Sequence, residues 1–130
     1  MGLFGLFGSK EPSEKKEQKQ LPWKRLTSVE QLDVILESSK TKSVAIFKHS
    51  TRCGTSSMVM RQFERSYDLP EGQMDLYYLD LLSFRNVSNE VAARFQVWHQ
   101  SPQLLVIRNG NVVYNASHHS IHASKLEQFA

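Results

Sequence analysis

A chain of 130 residues with a single cysteine has one clear candidate for covalent chemistry, and its neighbours set the terms. Cys53 stands in the run Lys48-His49-Ser50-Thr51-Arg52-Cys53-Gly54-Thr55-Ser56. Upstream, Val44, Ala45, Ile46 and Phe47 form a β-branched and aromatic run that reads as a buried strand, ended by Ser50 and Thr51. Downstream, Met58, Met60, Phe63 and Tyr67 fall at helical spacings among good helix formers. Cys53 is therefore expected where a strand turns into a helix. The first turn of a helix has unpaired N–H groups and the positive end of the macrodipole, which favour thiolate over thiol; Arg52 and His49 can add positive charge. The thiolate is the nucleophile of disulfide exchange. A second thiol three residues on would resolve the mixed disulfide, but that position is Ser56, so Cys53 can attack a disulfide and must pass its cargo to an outside thiol.

The same residues also have plainer readings. A lone cysteine is often an inert small hydrophobe, although polar flanks and a helix start argue for a reactive one here. Strand alternation could point His49 away from Cys53, and Thr51 and Ser56 read first as helix caps. His118, His119 and His122 form the one metal-like cluster, but no cysteine or carboxylate is close in sequence to complete a site, so no metal is expected.

These residues need a frame. The length and the 40% apolar content suit one domain with a single core. A net charge of +3 is modest, and several lysines sit beside glutamates near the N-terminus, so a nucleic-acid partner is not expected. One cysteine makes no internal disulfide and no run of about 18 apolar residues could span a bilayer, which points to a soluble, cytoplasmic protein acting as a monomer. Residues 1–20, MGLFGLFGSK and EPSEKKEQKQ, read as a flexible tail rather than an export signal, and the domain is expected over residues 21–130.

Within it, Thr27 or Ser28 can cap a first helix that has Glu30 or Gln31 in a capping-box position and runs to about Ser39. After the strand and helix that flank Cys53, Pro70 and Gly72 mark a turn, and Met74 to Leu82 reads as a strand covered on both faces. A helix from Ser88 to about Val97, capped by Ser88 or Asn86, comes next. Pro102 then precedes two strands, Gln103 to Arg108 and Asn111 to Asn115, joined by the hairpin signal Asn109-Gly110. A helix from Ser120 to about Phe129 ends the chain. This order folds into an α/β domain with a mixed four-stranded sheet and helices on both faces.

Cysteine after a central strand, followed by α, β, α and a proline just before a terminal hairpin, resembles the thioredoxin fold over about residues 21–130. Lys48-His49-Ser50-Thr51-Arg52-Cys53 further resembles the bacillithiol-system redox proteins, a monothiol, bacilliredoxin-like bacterial branch of that superfamily. Gly54 departs from the proline that often follows the cysteine in these proteins, which loosens the turn.

The resemblance implies a cis Ser101–Pro102 peptide against the reactive sulfur, no tightly bound cofactor, and bacillithiol as co-substrate. It implies a thiol-disulfide oxidoreductase that removes bacillithiol, or a similar small thiol, from S-thiolated proteins through Cys53. The anionic malate end of bacillithiol would suit Arg52 and Lys48, and the backbone of Ser101 could bind it as an added strand does. Two alternatives stand beside this reading. Cys53-Gly54-Thr55-Ser56 is similar to the Cys-Gly-Phe-Ser of iron–sulfur-binding monothiol glutaredoxins, though Thr55 replaces the aromatic; a brown chromophore would mark that case. The other is a non-catalytic interaction module, which fold alone leaves open.

Overall fold

The computed structural model describes residues 21–130; the tail expected over residues 1–20 lies outside the described residues. The elements run β1 (Trp23–Arg25), α1 (Glu30–Ser38), β2 (Val44–His49), α2 (Gly54–Ser66), β3 (Asp75–Asp80), α3 (Arg85–Phe95), β4 (Gln103–Arg108) and β5 (Asn111–Ser117). Two 3₁₀ segments follow, His118–Ser120 and Ala123–Phe129. The strands lie in the order β1-β3-β2-β4-β5. β3 is parallel to both β1 and β2, while β4 is antiparallel to β2 and to β5, so the sheet is mixed.

Alternation along the three central strands sorts the core into two layers. Ala45 and Phe47 of β2, Leu76 of β3, and Leu104 and Val106 of β4 meet Val59, Met60 and Phe63 of α2 and Leu126 of the last 3₁₀ segment. Val44, Ile46, Tyr77, Leu79, Leu105 and Ile107 point the other way, onto Leu32 and Ile35 of α1 and Val87, Val91 and Phe95 of α3. Strands buried on both faces favour apolar residues on both, which is why residues 44–47 of β2 and 104–107 of β4 read as unbroken hydrophobic runs.

The sheet has five strands rather than the expected four. β1 carries no alternating pattern, since Lys24 and Arg25 are exposed. It exists because the free edge of β3 offers backbone partners, with Trp23, Lys24 and Arg25 opposite Leu76, Tyr77 and Tyr78. Trp23 anchors it by packing against Phe47 and Phe63 and donating its indole N–H to Glu64 Oε2 at 2.8 Å. Two charged residues on an edge strand also discourage further strand addition.

α1 starts at Glu30 without a hydroxyl cap, while Gln31 takes the capping-box place expected of it: its carboxamide oxygen accepts the Thr27 and Ser28 N–H groups at 2.7 and 3.0 Å. α3 begins at Arg85, not Ser88, because Asp80 organises the turn before it: its carboxylate accepts Leu82 N–H and Ser83 Oγ–H at 3.2 and 2.9 Å. Ser88 is thereby buried inside the helix. On α2, Val59 takes the inward place expected of Met58, which is 39% exposed. The expected α-helix from Ser120 to Phe129 is 3₁₀ instead. Ala123, Leu126 and Phe129 repeat every three residues, the period of a 3₁₀ turn, and all three pack on the α2-side core. The Asn109-Gly110 hairpin stands as read, both residues having positive φ, at 52° and 76°.

Candidate active site

Parallel pairing of β2 with β3 places their C-terminal ends together, and antiparallel pairing of β2 with β4 starts β4 at that same end, with Lys48 opposite Gln103. Cys53, just past β2, and Pro102, just before β4, are thus brought to one end of the sheet although they lie far apart in sequence. The Ser101–Pro102 peptide bond is cis. Pro102 is buried, and its carbonyl accepts His118 N–H at 3.0 Å, tying the entrance of β4 to the end of β5.

Cys53 is the N-cap residue of α2, in extended conformation. Its N–H donates to Ser50 O at 3.2 Å and closes a turn; its carbonyl accepts Ser57 N–H at 3.1 Å and opens the helix. The thiol is half-buried at the head of the helix, next to exposed Thr51 and Arg52.

Neither Thr51 nor Ser56 caps α2, which has no side-chain cap. Ser56 is fully buried, and its hydroxyl lies 2.7 Å from His49 Nδ1 while accepting Ser50 N–H at 3.1 Å. One hydroxyl therefore clamps both ends of the strand-to-turn junction that leads to Cys53. A second thiol at position 56 would lack this role, so the serine is more than the absence of a resolving cysteine. His49 faces α2, on the same side of the sheet as Ser56, and its ring lies tilted at 56° to that of Tyr78, with centroids 5.6 Å apart. Burial pushes its imidazole pKa below the ordinary value, while Asp80 and Glu64 pull it back up.

The adjacent residue points the other way. Lys48 is fully buried on the α1/α3 face between Leu79 and Gln103, and its ammonium has no hydrogen-bond partner among the described residues. Burial pushes its pKa down to about 8. Gln103, also buried, donates to Trp98 O at 2.9 Å and accepts Gln100 N–H at 3.4 Å, which fixes the loop before the cis peptide. Trp98 itself is 90% exposed on that loop. Gln103 and Asp80 were missed from sequence, because nothing local marks a strand-end residue as the organiser of a neighbouring loop. Lys48 carried a signal: a lysine inside an otherwise apolar strand run.

A cleft of about 410 Å³ lined by Leu21, Pro22, Tyr67, Leu69 and Met74 lies at the opposite end of the sheet from Cys53. The reactive end is built on strand ends and a helix start.

Mixed sheet, cysteine at the helix start and cis-proline before the hairpin together define a thioredoxin-fold protein, and solved structures agree. A chain described as a candidate oxidoreductase with a thioredoxin fold is 35% identical, with TM-score 0.69, over 82% of this chain and 91% of its own. Malassezia sympodialis thioredoxin, 21% identical with TM-score 0.64 over 85% and 90%, and Fasciola hepatica thioredoxin, 14% identical with TM-score 0.62 over 82% and 94%, share the fold. The family model for the monothiol bacilliredoxin BrxC matches residues 24–126, and the chain belongs to that family.

Proposed function

We propose that the protein is a monothiol thiol-disulfide oxidoreductase that removes bacillithiol, or a closely similar small thiol, from protein mixed disulfides. The observation that carries this reading is the placement of Cys53: a half-buried N-cap residue of α2, at the sheet end that also holds the cis Ser101–Pro102 peptide, with a buried serine where a resolving cysteine would stand. In the first step the Cys53 thiolate attacks the small-thiol sulfur of the mixed disulfide. The protein–sulfur bond breaks, the protein thiolate leaves with the electron pair and takes a proton, and Cys53 holds the small thiol as a new disulfide. In the second step a free small thiolate attacks that disulfide, releasing the symmetrical small disulfide and restoring Cys53. The net change frees the substrate's cysteine as a thiol, consumes one free small thiol and yields one symmetrical small disulfide. Exposed Arg52, adjacent to Cys53 in the chain, would favour anionic species, and the backbone of Ser101, next to the cis peptide, would bind an extended segment as an added strand does.

The chemistry requires a reducing compartment, so the protein is assigned to the cytoplasm of a bacterium that makes this thiol, working as a monomer on S-thiolated proteins. Among the described residues no helix is long and apolar enough to cross a membrane. The test is direct. Incubated with a bacillithiolated protein, this chain should release the substrate thiol, gain one bacillithiol at Cys53 by mass, and need free bacillithiol to turn over. Cys53→Ser should abolish transfer. Transfer no faster than that of a small free thiol under the same conditions would sink the proposal.

A further inference from the structure

The histidines after β5 have no part in the exchange steps, yet the fold brings the first of them to the Cys53 end of the sheet. β2 ends and β4 begins there, and Ser117, the last residue of β5, lies opposite Gln103, the first of β4. His118 follows directly. Its N–H donates to Pro102 O at 3.0 Å and its carbonyl accepts Ile121 N–H at 3.3 Å. Its backbone is thus tied on one side to the entrance of β4 and on the other to the α2-side core, where Ile121 is buried. The His118–Ser120 turn lies against α2, the helix that Cys53 caps. From there the chain runs along that helix away from its start, since Ile121 and His122 line a small cavity with Gln62 and Arg65. The φ of His118 is 55°, a conformation that glycine adopts freely and that other residues adopt uncommonly, often where function requires it. Both of its backbone polar groups are bonded, while its ring is exposed and hydrogen-bonded to no group among the described residues.

We propose that His118 carries the proton for the sulfur that leaves the exchange centre in the first step and for the sulfur that enters it in the second. In a linear exchange the leaving sulfur lies two S–S lengths, about 4 Å, from the Cys53 sulfur. Strands lie about 4.8 Å apart, so the end of β5 is roughly 10 Å from the end of β2, across β4. A group on the far side of that gap meets the outer sulfur rather than Cys53 itself. In the first step Cys53 thiolate bonds to the small-thiol sulfur, the bond to the protein sulfur breaks, and the departing thiolate takes its proton from the His118 imidazolium. In the second step the neutral ring takes the proton of the incoming small thiol, whose thiolate attacks from the place the protein sulfur vacated and releases Cys53 as thiolate. The ring ends protonated, as it began, so one histidine serves both steps with no net proton change. This role rests on the reading of Cys53 as the exchanging thiol and adds to it a proton carrier that lies 65 residues further along the chain.

The dependence on the leaving thiol tests this. Two bacillithiol mixed disulfides serve as substrates for the full-length protein, one with the alkyl thiol of N-acetylcysteine methyl ester and one with 5-thio-2-nitrobenzoate, an acidic aryl thiol that departs without a proton. His118→Asn, which tolerates the same backbone conformation, should lower kcat/KM for the alkyl substrate by about 100-fold, the low end of what a positioned acid supplies, and leave the aryl substrate unchanged. His118→Gly suits the conformation still better, and added imidazole should restore part of its activity on the alkyl substrate alone. Equal losses on both substrates would mean a structural role and overturn the proposal, as would no loss on either; exchange at Cys53 stands in both cases. A wild-type protein that releases neither thiol faster than a small free thiol does would remove the exchange reading, and the role of His118 with it.

Discussion

Replacing Lys48 by methionine should make the protein more stable. The side chain is fully buried in the α3-side layer, and its ammonium has no partner among the described residues. Its pKa falls from 10.5 to about 8 through burial alone. At about 1.4 kcal/mol per pKa unit the shift corresponds to a ceiling of about 3.5 kcal/mol against the charged form, and solvent screening reduces the expected gain to about 2 kcal/mol. Methionine has similar length, adapts to irregular space and carries no charge.

The pH dependence has a definite sign. Because folding lowers the pKa of Lys48, the unfolded chain binds that proton more tightly. The penalty is full below about pH 8 and fades as the pH rises toward the unfolded value of 10.5. Wild-type stability should therefore gain on that of Lys48→Met across that window. Urea denaturation at pH 7 should give the variant an advantage of about 2 kcal/mol with an unchanged m value, and the difference should shrink at pH 9.5. A variant no more stable than wild type at pH 7, or a difference indifferent to pH, would refute the claim that Lys48 is an uncompensated buried cation.

Ser56→Ala should lose about 1–3 kcal/mol in urea denaturation, because it leaves the buried His49 Nδ1 and the Ser50 N–H without their shared partner. An unchanged midpoint would mean that the hydroxyl does not hold the Cys53 turn. Ser56→Cys should permit an internal disulfide with Cys53, seen as a loss of 2 Da in mass by the oxidised chain, about two hydrogens, and should relax the need for a second small thiol. His49 titrates below its ordinary value, so its contribution to stability is complete above about pH 6.5 and is lost as the pH falls through the folded value. Unfolding free energy measured from pH 7 down to pH 5 should fall, and His49→Gln should flatten the slope. Phe63→Ala should cost about 3–5 kcal/mol, since the ring packs against Trp23, Phe47 and Tyr67 at 5.9, 5.4 and 5.9 Å. A loss below 1 kcal/mol would place the centre of that core elsewhere.

Much of the site was legible in the chain itself. The β2 run, the break at Ser50 and Thr51 and the helical spacing after Cys53 are local patterns, so the sequence alone located a cysteine at a strand-to-helix junction and the Asn109-Gly110 hairpin beyond Pro102. Periodicity reports which face of an element is apolar; it does not report what covers that face or which edge accepts a further strand. Tertiary structure alone decided that Trp23–Arg25 joins the sheet, because pairing with β3 outweighs a weak local preference. It turned Ser56 from a cap into a clamp on His49 and Ser50, because the hydroxyl meets the end of a strand that lies seven and six residues away in sequence. It also set His49 and Lys48, neighbours in the chain, on opposite faces of the sheet. One met Ser56 and the other met no partner, because backbone alternation assigns each side chain its face and only the packed layers decide what awaits it there.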